Sequence, residues 1–179
     1  MTSKRLKRIV AVAVSAACAL LSVAGTADAG AARARGAGPL RDLQPGTAQP
    51  TDGATAQVVA TESDGTTTVT IKVQALDHAA AGMTLGAHVH VGSCVAGNGT
   101  AAGLHYNAGG VASDETEVWL DFTINANGTA RAQATVPFTI AAGAAASVVI
   151  HAEPTHPGPG PIPAPGSAGI RLACLPVQF

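Results

Sequence analysis

The chain has 179 residues, of which only 12% are charged and 3% are aromatic, and its formal net charge at pH 7 is −1. The charge is distributed unevenly: from Thr51 onward, three basic side chains stand against nine acidic ones, a net charge of −6 with neutral histidines. This acidic excess argues against nucleic acid or an anionic membrane as a binding partner.

The first 29 residues have the pattern of a secretory signal peptide. Four basic residues between positions 4 and 8 precede the apolar run IVAVAVSAACALLSVAG, and Ala27 and Ala29 form a small-residue cleavage site. A membrane anchor is the alternative, but the run is shorter than the roughly 20 residues that a span requires. Cys18 also lies in the middle of the run, without the context of a lipoprotein cysteine. We therefore predict export, with cleavage after Ala29 and no membrane span in the mature chain.

Residues 30–55 are rich in Gly, Pro and Ala and show no periodicity. Such a composition is typical of a flexible segment, so we predict a flexible leader here. The remaining residues, 56–179, are a suitable length for one domain.

Alternating apolar and polar residues predict β-strands through most of this domain. The alternation is clear over 68–75, 118–124 and 131–138, and SVVIHAE and GIRLACLPV add two more β-rich runs. The turn signals SDG at 63–65 and NANG at 125–128 separate strands. No stretch after residue 29 has a convincing helical period. The pattern predicts an all-β sandwich or barrel.

Two long segments interrupt the predicted strands. One runs from Ser93 to Glu117 and the other from Ala152 to Gly169, where several prolines prevent ladder pairing. Long loops on a compact β scaffold often carry function. We expect both segments to be functional loops, although the middle of the second could be surface loop alone.

Two cysteines remain once the predicted signal peptide is removed, Cys94 and Cys174. An even number in an oxidising compartment favours one disulfide, with two buried free thiols as the alternative.

Histidines suggest a site assembled from distant parts of the chain. His88 and His90 are one residue apart in GAHVHVGSC, so a strand would present both on one face, roughly 6–7 Å apart. His105 in GLHYN and His151 in VVIHAE lie near other predicted strand or loop edges. Neutral imidazole suits copper and zinc. We interpret His78 as an ordinary surface histidine, and spacing alone leaves open whether the other histidines bind a metal.

The order of these motifs resembles the secreted copper/zinc superoxide dismutases. The motifs are GAHVHVGSC, AGLHYN, SVVIHAE and GSAGIRLACLPV, in that order along the chain. The resemblance implies an eight-stranded Greek-key β-barrel or sandwich. It also implies that His88, His90, His105 and His151 bind copper, that Arg171 attracts and orients superoxide, and that Cys94 and Cys174 form a disulfide. His105 would occupy the metal-bridging position and supply a proton.

The chain departs from that family where zinc is bound. The segment after His105 contains no histidine, Val118 falls at the position of the zinc aspartate, and Glu115 falls at that of the last zinc histidine. Zinc prefers four good ligands, so this loop cannot supply the usual set. The chain therefore resembles most the copper-only branch, and we expect copper as cofactor without zinc. A carboxylate would then orient His105, with Glu115 the first choice, Glu117 the second and Asp114 also available; the alternative is that all three belong to a solvated acidic run.

Two functions are consistent with these residues. One is extracellular, copper-dependent dismutation of superoxide to oxygen and hydrogen peroxide. The other is a non-enzymatic copper-binding or copper-delivery domain on the same fold. Arg171 favours the enzyme, because a carrier has no need of a guanidinium that guides an anion; a structural arginine is the simpler alternative.

Overall fold

The computed structural model describes residues 32–158 and 164–179; the predicted signal peptide lies outside them. The described residues form β-strands and two short 3-10 turns, with no α-helix. None of their helical segments is long and apolar enough to span a membrane. The strands are β1 (Ala32–Pro39), β2 (Arg41–Asp42), β3 (Thr55–Ser63), β4 (Thr66–Gln74), β5 (Thr84–Leu85), β6 (Ala87–His90), β7 (Phe122–Thr123), β8 (Ala130–Val136), β9 (Ser147–His151) and β10 (Arg171–Pro176).

Two four-stranded antiparallel sheets contain eight of these strands. One has the order β1-β3-β4-β8 and the other β2-β10-β9-β6, while β5 and β7 form a small separate pair. Because strands distant in sequence are neighbours within each sheet, the chain crosses repeatedly between the sheets. The predicted all-β Greek-key architecture is confirmed.

The core lies between the two sheets and follows the alternation read from the sequence. Val69, Ile71 and Val73 of β4 are at most 1% exposed, whereas the residues between them are partly or fully exposed. The β3–β4 hairpin turns at Asp64 and Gly65, whose φ angles are 51° and 78°. Positive φ at both central residues is typical of the two-residue turns that match strand twist. The SDG hairpin prediction is therefore confirmed.

The prediction of a flexible leader over residues 30–55 is wrong from Ala32 onward. Strand β1 pairs with β3 from Ala32 to Pro39, and β2 pairs with β10. The small residues that hide the strand pattern are what the packing requires: a Cβ on Gly36 would lie 2.5 Å from the Pro176 carbonyl oxygen. The β-sandwich thus includes residues from Ala32 onward, 24 residues before the predicted boundary at residue 56.

The segment predicted as a strand over 118–124 is regular only at β7. Its apolar residues are nevertheless buried in alternation, with Val118, Leu120, Phe122 and Ile124 at most 2% exposed. The Leu120 N–H donates to the Ala87 carbonyl at 2.7 Å, and His88 and Trp119 form an isolated bridge. The segment therefore follows the edge of β6 without a continuous ladder.

Candidate metal centre

Strand β6 divides its side chains between the core and the site. Ala87 and Val89 belong to the apolar cluster between the sheets, so His88 and His90 lie on the opposite face. Both histidines are nevertheless fully buried, because loops cover that face of the sheet. A glycine on each side of the strand allows close approach: a Cβ on Gly86 would lie 2.7 Å from the Ala168 Cβ, and one on Gly92 would overlap the backbone of Ala101 and Ala102.

Two more histidines meet this pair. His151 is the last residue of β9, the strand that pairs with β6, and its N–H donates to the Gly86 carbonyl at 2.8 Å. His105 belongs to the 93–117 loop and forms an isolated bridge with His90. One ring nitrogen from each of the four histidines lies within 4.8 Å of the other three, which is the only such metal-binding group among the described residues.

Each ring uses its other nitrogen for a hydrogen bond to the protein. The Nδ1 atoms of His90 and His151 lie 3.2 and 3.3 Å from the carbonyl oxygens of Gly103 and Gly169. The Nδ1 of His105 lies 2.8 Å from Glu117 Oε2. Because these oxygens only accept, each Nδ1 carries the hydrogen and each Nε2 keeps a free lone pair. His88 is reversed: its Nε2 bonds to Thr155, and its buried Nδ1 has no partner.

Burial keeps His88, His90 and His151 neutral. It is the largest cause that lowers the pKa of His88 far below the usual value, and it also lowers the pKa of His90 to about 3 and that of His151 to about 4. The neighbouring histidines lower these values further. Neutral imidazole is the form that binds metals.

The lone pairs need a cation. His90 Nε2 and His151 Nε2 are 3.4 Å apart, and hydrogen bonds elsewhere leave neither nitrogen with a proton to offer the other. Three of these histidines are buried and His105 is partly exposed, and their lone pairs converge without donors, an unfavourable arrangement that a metal ion would relieve. The residues present therefore fit a metal bound by four imidazole nitrogens.

Glu117 binds His105 through Nδ1, the ring nitrogen that does not converge with the other histidines. Its carboxylate is 5% exposed and also accepts from Trp119 Nε1 at 2.9 Å and from Asn107 Nδ2 at 3.2 Å. Burial alone would raise the pKa of Glu117, but hydrogen bonds from His105 and Trp119 outweigh it and hold the pKa below its ordinary value. The carboxylate therefore remains charged beside His105.

The first choice of orienting carboxylate, Glu115, is wrong. The side chains of Asp114 and Glu115 are exposed, and the structure places the second choice, Glu117, against the ring. The backbone explains the difference, because the N–H groups of Thr116 and Glu117 both donate to the Ser113 carbonyl. This tight turn leaves Glu115 at its outer tip and returns Glu117 to the protein.

Arg171 stands at the edge of the cluster. It pairs with His151 in register, and its two terminal nitrogens donate to the carbonyls of Gly99 at 2.5 Å and Gly103 at 2.6 Å. The Gly103 carbonyl thus accepts hydrogen bonds from both Arg171 and His90. Arg171, His105 and Glu117 line a surface depression.

The predicted disulfide is confirmed. Cys94 and Cys174 are bonded across a sequence separation of 80 residues. Cys174 pairs with Val149 in the β10–β9 ladder, and the Arg41 side chain donates to the Cys94 carbonyl at 2.6 Å. The start of the 93–117 loop is therefore fixed to the sheet that carries the histidines.

Several residues of the site carried no signal that we recognised in the sequence. Trp119 and Asn107 bind Glu117, while Thr155 and Asp121 lie beside His88. His78, interpreted from the sequence as a surface histidine, is exposed, and both His78 and the partly exposed His156 stay outside the metal-binding group. A polar residue next to a ligand has no spacing rule of its own, which is why these partners were missed.

Comparisons with known proteins support the fold. No protein-family model and no curated protein matches the chain. A double mutant of a superoxide dismutase-like protein from Bacillus subtilis is 19% identical, with a TM-score of 0.56 over 83% of this chain and 97% of that one. The Cu/Zn superoxide dismutase from Brucella abortus is 21% identical, with a TM-score of 0.56 over 79% of this chain and 98% of that one. The chain thus has a superoxide dismutase-like fold with a histidine cluster able to bind a metal.

Proposed function

We propose that the chain is an exported, copper-dependent superoxide dismutase that works without zinc. The observation that carries the proposal is the convergence of four imidazole nitrogens beside the guanidinium of Arg171. The disulfide and the signal-like first 29 residues support export, because disulfides persist in oxidising compartments.

Copper is the metal that we propose for the four nitrogens. Imidazole binds copper and zinc well, and Cu(II) favours a nitrogen set close to planar. A bound copper ion supplies a one-electron couple, which balances the oxidation of one superoxide to oxygen against the reduction of a second to peroxide. All other roles belong to side chains of this chain.

Arg171 would bind and orient the anion. Its guanidinium is held by two carbonyls, so it is preorganised at the rim of the depression. The domain is otherwise acidic, and a fixed cation at the opening of such a domain raises the local concentration of a small anion.

His105 would carry a proton. Its Nδ1–H donates to the charged carboxylate of Glu117, which favours proton uptake at the opposite nitrogen, Nε2. This ring is also the most exposed of the four, with 18% of its side-chain surface accessible, so a proton can reach it from water.

Glu117 is also the reason to propose that zinc is dispensable. The resemblance implies that the outer nitrogen of the bridging histidine binds zinc in zinc-containing relatives. Here a carboxylate occupies that side of His105 and supplies the partner that a metal-bound histidine needs.

The test uses the mature chain, residues 30–179, stripped of metal and reloaded with one equivalent of copper, zinc or both. We expect superoxide decay, followed directly by its ultraviolet absorbance, to accelerate only in samples that contain copper, with no gain from zinc. A folded, copper-loaded sample no faster than the metal-free protein would contradict the proposal. The alternative, a copper-delivery domain, would then require rapid transfer of Cu(I) to a chelator.

Arg171→Ala examines the anion-binding step. We expect copper binding to persist while turnover falls by about tenfold and its dependence on ionic strength weakens. The control is Arg131→Ala, which removes an exposed cation from β8 and should change neither quantity. Loss of copper or of folding in Arg171→Ala would assign the arginine a structural role.

A further inference from the structure

Thr155 links His88 to a carboxylate from another part of the chain. It lies in the loop after β9, is 8% exposed, and places its Oγ1 2.7 Å from His88 Nε2. The same hydroxyl donates to Asp121 Oδ1 at 2.5 Å, and the Thr155 backbone N–H donates to Asp121 Oδ2 at 2.7 Å. Neither residue belongs to the metal-binding group.

The hydrogens of this chain of contacts can be assigned by elimination. A threonine hydroxyl has one hydrogen, and an ionised carboxylate only accepts. The Thr155 hydrogen therefore points to Asp121, so Thr155 Oγ1 must accept from His88. This places a hydrogen on His88 Nε2 and leaves a lone pair on Nδ1, the buried nitrogen without a partner in the cluster.

We propose that Thr155 and Asp121 are positioning residues that hold His88 in the tautomer whose Nδ1 binds the metal. The inference rests on the proposed copper site. It gives a role to two described parts of the segment between β9 and β10: Thr155 contributes a hydrogen-bond acceptor to one ligand, His88, and Gly169 contributes its carbonyl to another, His151.

Removing the Thr155 hydroxyl should reverse the preferred tautomer of the His88 ring. In Thr155→Val, which keeps the shape of the side chain, a hydrogen on His88 Nε2 would be buried against a methyl group without an acceptor. The tautomer with the hydrogen on Nδ1 then becomes the more stable one. In that tautomer the hydrogen points into the cluster and blocks metal binding. Thr155→Ser retains the hydroxyl and should retain the tautomer.

The first measurement needs no metal. Long-range proton–nitrogen NMR on ¹⁵N-histidine-labelled mature chain should show the hydrogen on His88 Nε2 in the wild type and in Thr155→Ser, and on Nδ1 in Thr155→Val. The second measurement is Cu(II) affinity by chelator competition, which should fall by about 10- to 100-fold in Thr155→Val alone. The Cu(II) EPR spectrum should change with it.

Thr67→Val is the matched control. Thr67 lies in β4, is 1% exposed, and donates its hydroxyl to the Phe138 carbonyl at 2.7 Å. This substitution also removes a buried hydroxyl, so it should lower stability while leaving the His88 tautomer and copper affinity as in the wild type.

The outcomes separate this inference from the proposed function. An unchanged tautomer and copper affinity in Thr155→Val would overturn the inference even if the protein is an active dismutase. A wild type that binds copper without turnover would contradict the proposed function but not the positioning role of Thr155 and Asp121. If Thr155→Val does not fold, Asp121→Asn tests the same hydrogen bonds. The amide of Asn can accept only one of the two hydrogen bonds that Thr155 donates to Asp121. Copper affinity must fall in this variant for the inference to hold.

Discussion

The two large sheets are both four-stranded and antiparallel, but their strands differ in burial. In β4 of the sheet β1-β3-β4-β8, which we call the support sheet, buried and accessible residues alternate along the strand. In β6 and β9 of the other sheet, the histidine sheet, every residue is buried. Both sheets contribute one face to the core, so the difference lies in the outer faces: that of the support sheet is accessible, whereas loops cover that of the histidine sheet.

The residues on the two outer faces match their surroundings. On the support sheet, exposed threonine pairs such as Thr68 and Thr135 bond to each other at 2.9 Å and otherwise face water. On the histidine sheet, His88 and His90 are polar groups without access to water, so loop atoms must satisfy them. A covered outer face can therefore hold polar side chains in a defined geometry, whereas the side chains of an exposed face need no such partners.

The largest expected difference between the sheets comes from removing one ligand of the histidine sheet. His151→Ala deletes one of the four converging nitrogens, so copper affinity should fall by more than the roughly 10- to 100-fold that losing a ligand's partner costs. Superoxide turnover should fall to the metal-free level. The control is His78→Ala, an exposed histidine outside the cluster, and a variant at position 151 that still binds one tight copper would contradict the assignment.

The disulfide should matter next, because it holds the loop cover against the histidine sheet. Replacing both Cys94 and Cys174 by Ala opens a loop of about 80 residues, for which the chain-entropy model gives a loss of about 4.5 kcal/mol. Urea denaturation of metal-free protein measures this loss. A decrease below about 1 kcal/mol would mean that the loop is held without the bond.

Glu117 should have a smaller and more specific effect. Glu117→Gln keeps the size of the side chain and removes its charge. The hydrogen bond to His105 should therefore weaken while the fold is retained. We expect copper affinity to fall by about tenfold, with a change in the pH profile of turnover. Glu115→Gln, two residues away on the exposed tip of the turn, is the matched control. Equal behaviour of the two variants would remove Glu117 from the site.

The smallest effect is expected on the outer face of the support sheet. Thr70→Val removes an exposed hydroxyl that bonds to Gln133 at 3.1 Å, and such substitutions usually change stability by less than about 0.5 kcal/mol. Copper affinity and turnover should equal those of the wild type. A measurable loss of copper here would show that the two sheets are not functionally separate.

Regular elements were predicted where the two faces of a strand differ in polarity. The alternation at Val69, Ile71 and Val73 identified β4, and the SDG turn identified its hairpin, because both signals are local. Strand β1 was missed because, apart from Arg33 and Arg35, it consists of alanine, glycine and proline, a composition that is more typical of a flexible segment than of a strand. Only the close approach to Pro176 explains why glycine at position 36 belongs to a strand.

The sequence by itself determined which side chains could form the centre: two histidines on one strand face, two more at strand and loop edges, an arginine, and a pair of cysteines. The tertiary structure alone decided which oxygen each ring meets. Glu117 rather than Glu115 reaches His105, and Thr155 meets Asp121 across 34 residues of chain. The physical reason is that side chains alternate between the two faces of a strand, which is a local property of the sequence. The hydrogen bonds of a loop instead depend on how the fold positions residues that are far apart in the chain.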